Sequence, residues 1–514
     1  MAFMVRDKLD TRKHVFADWS FVEPGYAVSW SDRLETEWET PRGIQLKVQT
    51  PHIRPDPLVE IENPWETSYT LHTTIMEAEG CYRLYYTCYN QLSSDSKSEA
   101  QQNQYSYFLC YAESADGINW NKPNIGKVNW RGSSDNNIVY GMDRSLGRPV
   151  PTATVFKDNN APDKEKYKII HRGERKDGTR CVFGATSPDG LDWTAIEKPQ
   201  TPDYFTDSQI VASFDERIGK YRGYFRGWTK ETRGSYHGRR TIAYAETEDF
   251  TNWPIPETIV TTDAYDHPGT DIYTNGFAEW PDTDAYLMFP GFYHREIDIP
   301  QIHLMTSRNG INWERHTRDP IIGGIGPGLS RAPRLDPTGG FYAGAGIIST
   351  RPDESSISII PCRRSHNNNR NGTGEGDIIE SHQQGFYPSI TGGYAAQISL
   401  ATWRKDGFVC LEAEEDGSFT TTPFTFTGSK LKLNGWSRYR GGIQVEIADS
   451  TNEKHSFSEI IAGRGFNDSD EISGSHIDHT VTWNGESDVS KWNGKTVRLR
   501  FKMRRARLYS LWFE

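Results

Sequence analysis

Aliphatic bulk is what this sequence has least of. Only 35% of its 514 residues are hydrophobic, and aromatics alone make up 12%. That is a poor supply for a large helical core, and no long amphipathic helical pattern is present; short strands and ring-lined surfaces suit the composition better. Long apolar runs are also missing. None approaches the ~18 residues of a membrane-crossing helix, so no membrane partner is expected. The stretch from Met1 to Lys13 is charged and lacks the apolar core of a signal peptide. This is expected of a cytoplasmic protein, or of one whose signal peptide has been removed.

Positive charge is in deficit, with 58 Lys and Arg against 69 Asp and Glu, a net charge of −11. Without a basic run or a basic domain, nucleic acid is not an expected partner, and a polyanionic ligand would need a local basic pocket. Cysteine is sparse. Cys81, Cys88, Cys110, Cys181, Cys362 and Cys410 form no CxxC pair and have no histidines at zinc spacing, so they read as thiols buried on strands. No metal site and no cofactor are expected. The Gly-rich run Gly323 to Gly328 lacks the Lys-Ser/Thr of a phosphate loop, and no EF-hand loop occurs.

What the chain does have is a repeat. Four segments share one tail: Tyr-Ala-Glu-Ser-Ala-Asp-Gly-Ile-Asn-Trp ending at Trp120, Gly-Ala-Thr-Ser-Pro-Asp-Gly-Leu-Asp-Trp at Trp193, Tyr-Ala-Glu-Thr-Glu-Asp-Phe-Thr-Asn-Trp at Trp253, and His-Leu-Met-Thr-Ser-Arg-Asn-Gly-Ile-Asn-Trp at Trp313. A degraded fifth copy runs from Ser399 to Phe408. In each, a strand ends at Ser or Thr, Asp-Gly or Asn-Gly makes a tight turn, and the chain leaves through an aromatic. Upstream of each tail lies a hydrophobic strand, a polar turn and an alternating aromatic strand, with the period of two that marks β-structure. Five copies of a three- or four-strand unit at blade-sized spacing predict an all-β, five-bladed propeller. The four tryptophans are expected to be buried between blades. The 46 glycines and 27 prolines supply the turns.

After Phe408 the pattern changes to short alternating strands, among them Lys430 to Asn434, Gly442 to Ile447 and Thr496 to Lys502. They predict a C-terminal β-sandwich. The expected division is residues 1–422, propeller with an N-terminal extension, and 423–514, accessory sandwich. Arg363 to Gln384, polar and rich in Asn and Gly, reads as a long loop within the fifth repeat.

The fivefold Ser-Pro-Asp-Gly-Leu-Asp-Trp type of tail resembles the five-bladed glycoside hydrolases of families 32, 43, 68 and 117. It comes closest to uncharacterised family 32-like bacterial proteins, which also end in Asp-Gly-Phe-Val and a Leu-x-Leu-Asn sandwich, here Asp406 to Val409 and Leu431 to Asn434. The resemblance covers nearly the whole chain and implies a glycosidase acting on an oligo- or polysaccharide. The family 32 nucleophile motif, Trp-x-Asn-Asp-Pro-Asn-Gly, is absent, so that family's substrate does not carry over. Arg318-Asp319-Pro320 follows a Trp tail instead of opening an inner strand.

A propeller offers one face of its channel to ligand, where the inner strands begin. Glycoside hydrolysis needs two carboxyl groups flanking the bond, in environments that separate their pKa values. Three acids stand at such starts: Glu66 in Asn63-Pro-Trp-Glu66, Asp207 in Thr206-Asp-Ser-Gln209, and Asp271 in Thr270-Asp-Ile-Tyr-Thr-Asn275. Asp271, Tyr273 and Asn275 alternate and are expected on one face. Around these catalytic candidates, His72, Arg148, Arg172, Arg226, Tyr273, Asn275, His294 and Arg331 are expected to contact substrate. Arg172 and Arg226, at similar places in consecutive blades, would orient carboxylates or bind an acidic or sulfated sugar. Plainer readings stand beside these: a solvated loop glutamate, acids capping turns, and ion pairs between blades. A non-catalytic carbohydrate-binding propeller and a protein-interaction propeller are the competing functions.

Overall fold

The computed structural model describes residues 7–514 apart from 10–11, 28–36, 90–106, 142–147, 150–152, 231–237, 296–298, 324–339, 363–397, 452–458 and a few isolated positions. The regular secondary structure of the described residues is nearly all strand, with only two short 3-10 turns.

Five small antiparallel sheets follow one another along the chain. Blade one is built from Ser68–Ala78, Cys81–Tyr89, Tyr107–Ser114 and Ile138–Gly141. Blade two has Thr154–Lys157, Tyr167–Glu174, Arg180–Ser187 and Thr194–Ala195, with Arg148–Pro149 added at the end of its second strand. Blade three has Val211–Asp215, Lys220–Trp228, Arg240–Thr247 and Glu257–Val260. Blade four has Thr270–Glu279 and Tyr286–His294, flanked by Ile299–Ile302 and Met305–Ser307. Blade five has Gly340–Ala343, Glu354–Cys362 and Ser399–Arg404, and its outer strand is His52–Ile53 from the N-terminal side. The first strands touch in the cycle one-two-three-four-five-one. This is a closed five-bladed propeller, latched by an N-terminal strand that the repeat pattern did not reveal.

The repeat tails show why the turn residues recur. Ser114 Oγ accepts from the backbone N–H of Asp116 and Gly117, and Asp116 Oδ1 accepts from the N–H of Ile118 and Asn119. Trp120 then folds its indole N–H back onto the Gly117 carbonyl at 3.1 Å. Ser187-Asp189-Gly190-Trp193 and Ser307-Asn309-Gly310-Trp313 repeat the arrangement. The turn is thus a side-chain-capped loop in which Ser and Asp replace ladder partners for the backbone. Gly310 needs its glycine twice over. Its φ is +73°, and a Cβ there would lie 2.0 Å from Arg222 Nη1.

Trp253 is fully buried at 1% exposure, as expected, but Trp120, Trp193 and Trp313 are only half-buried. Inter-blade packing nonetheless holds for Trp313, whose ring lies 5.9 Å from Tyr224 of blade three and 6.3 Å from Phe277 of blade four. Blades are also joined by tyrosines that open second strands. Tyr167 donates to Glu79, Tyr221 to Asp158 and Tyr286 to Asp215, each acid belonging to the preceding blade.

The C-terminal strands Val409–Thr420, Phe424–Phe426, Leu431–Asp449, Glu459–Ile460, Ser475–Thr480 and Thr496–Phe513 belong to one hydrogen-bonded sheet with Asp7–Leu9, His14–Val15 and Arg42–Val48. Its two longest strands pair along nearly their whole length, broken by register shifts after Asn434 and Ser437. The enclosed core takes Phe424, Leu433, Val445, Leu499 and Phe501 from the C-terminal side and Leu9, Phe16 and Phe21 from the other end of the chain. The five described cysteines are free thiols, all on strands; four are buried and Cys81 is half-buried. Among the described residues no helix is long and apolar enough to cross a membrane, and no group of His, Cys, Asp and Glu is set to hold a metal.

Candidate functional site

Where the inner strands begin, side chains of four blades converge on Asp207. This residue precedes the inner strand of blade three and keeps 23% of its side chain exposed. Arg172, on the second strand of blade two, reaches one carboxylate oxygen, and Arg226, on the second strand of blade three, reaches the other at 3.0 Å. Arg226 is almost wholly buried and also donates to the Tyr273 carbonyl of blade four, with its guanidinium 4.2 Å from the centre of the Tyr273 ring. Burial alone would raise the Asp207 pKa. The guanidiniums of Arg226, Arg172, Arg180 and Arg240 outweigh it and hold the carboxyl below its ordinary value.

His72, on the inner strand of blade one, faces this cluster at 3% exposure. Burial, seconded by Arg226, pushes its pKa down to about 3, against the opposing pull of Asp207. The imidazole is therefore neutral at any ordinary pH; a side-chain hydrogen bond with Gln209 pulls weakly the other way, and its Nδ1 has no partner among the described residues.

Asp271 is fully buried and clamped separately. Arg240 donates to it from both its backbone N–H and its guanidinium, and Arg295 contributes two further bonds at 2.8 and 2.9 Å. Arg240 links the two acids, because its guanidinium also lies 4.8 Å over the Tyr273 ring and acts on Asp207. Neither Arg240 nor Arg295 was singled out from the sequence. Their signal was weak: Arg240 opens a strand directly across from Trp228.

Asp271, Tyr273 and Asn275 do not share a face. A bulge between Ile272 and Thr274 shifts the register, so that Asp271 pairs with Tyr293 but Asn275 with Pro290. Residues 293 and 290 point to opposite sides of their strand, so the extra residue turns Asn275 away from Asp271. Asn275 lies on the side of Phe277, whose ring is 4.4 Å from Tyr224 of blade three. Tyr273 instead packs with Tyr293 and Tyr342.

Glu66 is brought into a different place. Its carboxylate accepts from its own turn, the N–H groups of Glu62 and Asn63, and from Tyr86 Oη at 2.6 Å and Lys122 Nζ at 2.9 Å. It is fully buried, and none of its hydrogen-bond partners among the described residues is one of the arginines that hold Asp207 or Asp271. The Asn63-Pro64 turn folds the acid back into blade one. His294 pairs with Thr270 and Gln301 on blade four. Arg148 takes part in a strand, paired with Glu174, and its side chain lies outside the described residues, as do Arg331 and the loop from Arg363 to Gln384.

No protein-family model matches the chain, and no curated protein matches it. Solved structures do. A thermostable family-43 glycoside hydrolase matches at 12% identity and a TM-score of 0.41, covering 66% of this chain and 92% of its own. An N-acetylgalactosamine deacetylase from F. plautii, solved with blood group B trisaccharide, matches at 14% identity and a TM-score of 0.41, covering 71% and 97%. A family 43 arabinoxylan arabinofuranohydrolase from Bacillus subtilis, in complex with cellotetraose, matches at 15% identity and a TM-score of 0.37, covering 91% and 99%. Identities this low carry no residue roles across.

Proposed function

We propose that this protein is a glycoside hydrolase that removes a terminal sugar, furanose or modified sugars included, from an oligo- or polysaccharide. The observation that carries this reading is Asp207: an ionised, partly exposed carboxylate, held by two arginines from two blades where the inner strands begin. A carboxylate fixed in one orientation and kept charged is suited to act as base or nucleophile. Asp271 is the second carboxyl, tied to the first through Arg240. Glu66, with both oxygens engaged inside blade one, fits a structural part. Arg172 and Arg226 orient Asp207, while His72, Tyr273, Asn275, His294, Arg148 and Arg331 remain the substrate contacts of this reading. Residues 423–514 are taken as an accessory β-sandwich with a structural role, a division supported by the apolar core those strands enclose.

A second reading has an observation of its own. Both Asp271 oxygens are held by guanidiniums, and to protonate a leaving oxygen it would have to give one up. A propeller that binds carbohydrate without cleaving it would need no such release. Asp207→Asn separates the two. It keeps the shape and removes the charge, so a hydrolase loses turnover by at least about a hundredfold. A variant that folds and turns over like wild type would dismiss Asp207 as base or nucleophile.

A further inference from the structure

Two neighbouring blades carry the same pair of arginines. In blade two, Arg172 pairs across the strands with Val182 and Glu174 with Arg180. In blade three, Arg226 pairs with Ile242 and Trp228 with Arg240. Residues opposite one another, or two apart on one strand, share a face of the sheet. Each blade therefore sets two arginines diagonally on one face, at the end where its second strand finishes and its third begins. Because neighbouring strands run antiparallel, this is also the end where the inner strands begin. Val182 packs among Phe225 and Trp253 of blade three, and Ile242 packs among Phe277 and Met288 of blade four. One pair thus faces the seam between blades two and three, and the other the seam between blades three and four.

The two members of each pair do different things. Arg172 and Arg226 clamp Asp207. Arg180 and Arg240 stand one step nearer the strand ends and lean on aromatic rings. The Arg180 guanidinium lies 4.7 Å over Phe205, the Phe205 ring is 6.0 Å from Trp228, and the Arg240 guanidinium lies 5.4 Å over Trp228. Arg180, Phe205, Asp207, Trp228 and Arg240 are all half-buried, so solvent reaches the whole row. A guanidinium lying on a ring keeps its plane fixed and presents its N–H edge sideways.

Charge does not balance here. Arg172, Arg180, Arg226, Arg240 and Arg295 stand against Asp207 and Asp271, an excess of three positive charges in a chain whose net charge is −11. His72 is neutral and adds none. Glu174 and Arg148, which pair across the adjoining strands, cancel in the count, as do Arg175 and Asp203. Elsewhere in the blades the sheltered charges do match: Lys168 has Asp158, Lys122 has Glu66, and Arg217 and Arg222 lie beside Asp215 and Glu279. Arginine cannot give up its proton to relieve crowding of like charge, so the relief has to come from an anion.

We propose that this arginine array receives the anionic group of an acidic sugar, a carboxylate or a sulfate ester, with Arg180 as its principal partner. A guanidinium has five N–H donors in a planar fork that fits either group, and one partner does not exhaust it. Arg240 and Arg295 hold Asp271, and Arg172 and Arg226 hold Asp207, so Arg180 is the arginine of the five that no bond ties to either acid. The position expected from the sequence for such recognition, Arg172 and Arg226, orients the carboxylate instead, and the task passes two residues outward. This inference rests on the carbohydrate reading above and names a substrate class within it.

Saturation-transfer NMR titrations on the full chain test it. The charged probes are D-galacturonate, D-glucuronate and D-galactose 6-sulfate, the neutral ones D-galactose and D-glucose, and inorganic sulfate stands for a bare anion. The titrations are repeated on Arg180→Gln and on Arg175→Gln, which removes an equal charge from the exposed Arg175–Asp203 pair, with thermal melting to check the fold. On the wild-type chain at least one charged sugar should bind at least tenfold tighter than its neutral parent, and raised salt should weaken it. Which of the charged sugars binds separates carboxylate from sulfate. Arg180→Gln should cost that sugar at least tenfold in affinity, and Arg175→Gln less than twofold. Neutral sugars binding as well as charged ones in the wild-type chain would overturn the inference without any variant and leave the carbohydrate reading standing. Equal losses in both variants, or none in Arg180→Gln, would overturn the placement at Arg180. Inorganic sulfate binding with no sugar bound would leave an anion site and overturn the carbohydrate reading, and binding of no probe would overturn both.

Discussion

Lowering the pH should weaken this protein through His72, and the size of the effect follows from its burial. The imidazole is neutral in the folded chain down to about 3, whereas in the unfolded chain it protonates near its ordinary value of about 6.5. Between those values the unfolded state binds a proton that the folded state refuses, so stability rises with pH across that window and is lost as pH falls through it. Above about 6.5 both states are neutral and the group contributes nothing. At about pH 5 the unfolded histidine is almost fully charged and the folded one is not, which costs about 2 kcal/mol relative to about pH 7.5. His72→Gln removes the titration and keeps a polar group of similar reach. Urea unfolding followed by tryptophan fluorescence, at both pH values and for both proteins, isolates the term by difference. Wild type should lose about 2 kcal/mol more than the variant on acidification. Equal losses would show that His72 is solvated or protonated in the folded protein.

Other outcomes can be checked alongside. Asp207→Asn leaves Arg172 and Arg226 without their carboxylate and should cost about 3–5 kcal/mol, read as a lowered urea midpoint, although the fold survives. Gly310→Ala should destabilise well beyond Gly219→Ala. Both glycines have positive φ, but a Cβ at Gly310 would meet Arg222 Nη1 at 2.0 Å and one at Gly219 meets nothing within 4 Å, so the difference in midpoint reports the clash alone. Trp253→Ala should cost about 3–5 kcal/mol, since its ring is buried among Phe156, Phe225 and Phe250. Trp193→Ala should cost clearly less, because that ring is only partly buried.

The blades were legible in the sequence because their signal is local. Ser, Asp-Gly and Trp within seven residues close one turn, and the structure uses each of them for a named hydrogen bond. What was not legible depends on distant chain. Nothing near His52 announces that it will pair with Thr402, nor near Arg42–Val48 that it will line the strand from Val409 to Thr420. The site was half visible for the same reason. Position alone marked His72, Arg172, Asp207 and Arg226 as starts and ends of strands facing one channel, and they do converge. Glu66 was marked by the same rule and goes elsewhere, because Tyr86 and Lys122, 20 and 56 residues away, draw it into blade one. The alternation expected for Asp271, Tyr273 and Asn275 fails at one bulge, and no residue in Thr270 to Asn275 is a glycine or proline that would have marked it.

The most direct test of the account is release of reducing sugar from a panel of polysaccharides and oligosaccharides, run in parallel for the wild-type protein and for Asp207→Asn. The account predicts that wild type releases a monosaccharide from at least one of them and that the Asp207→Asn protein, folded, releases at least about a hundredfold less. Release by both at equal rates, or by neither across the whole panel, would contradict it.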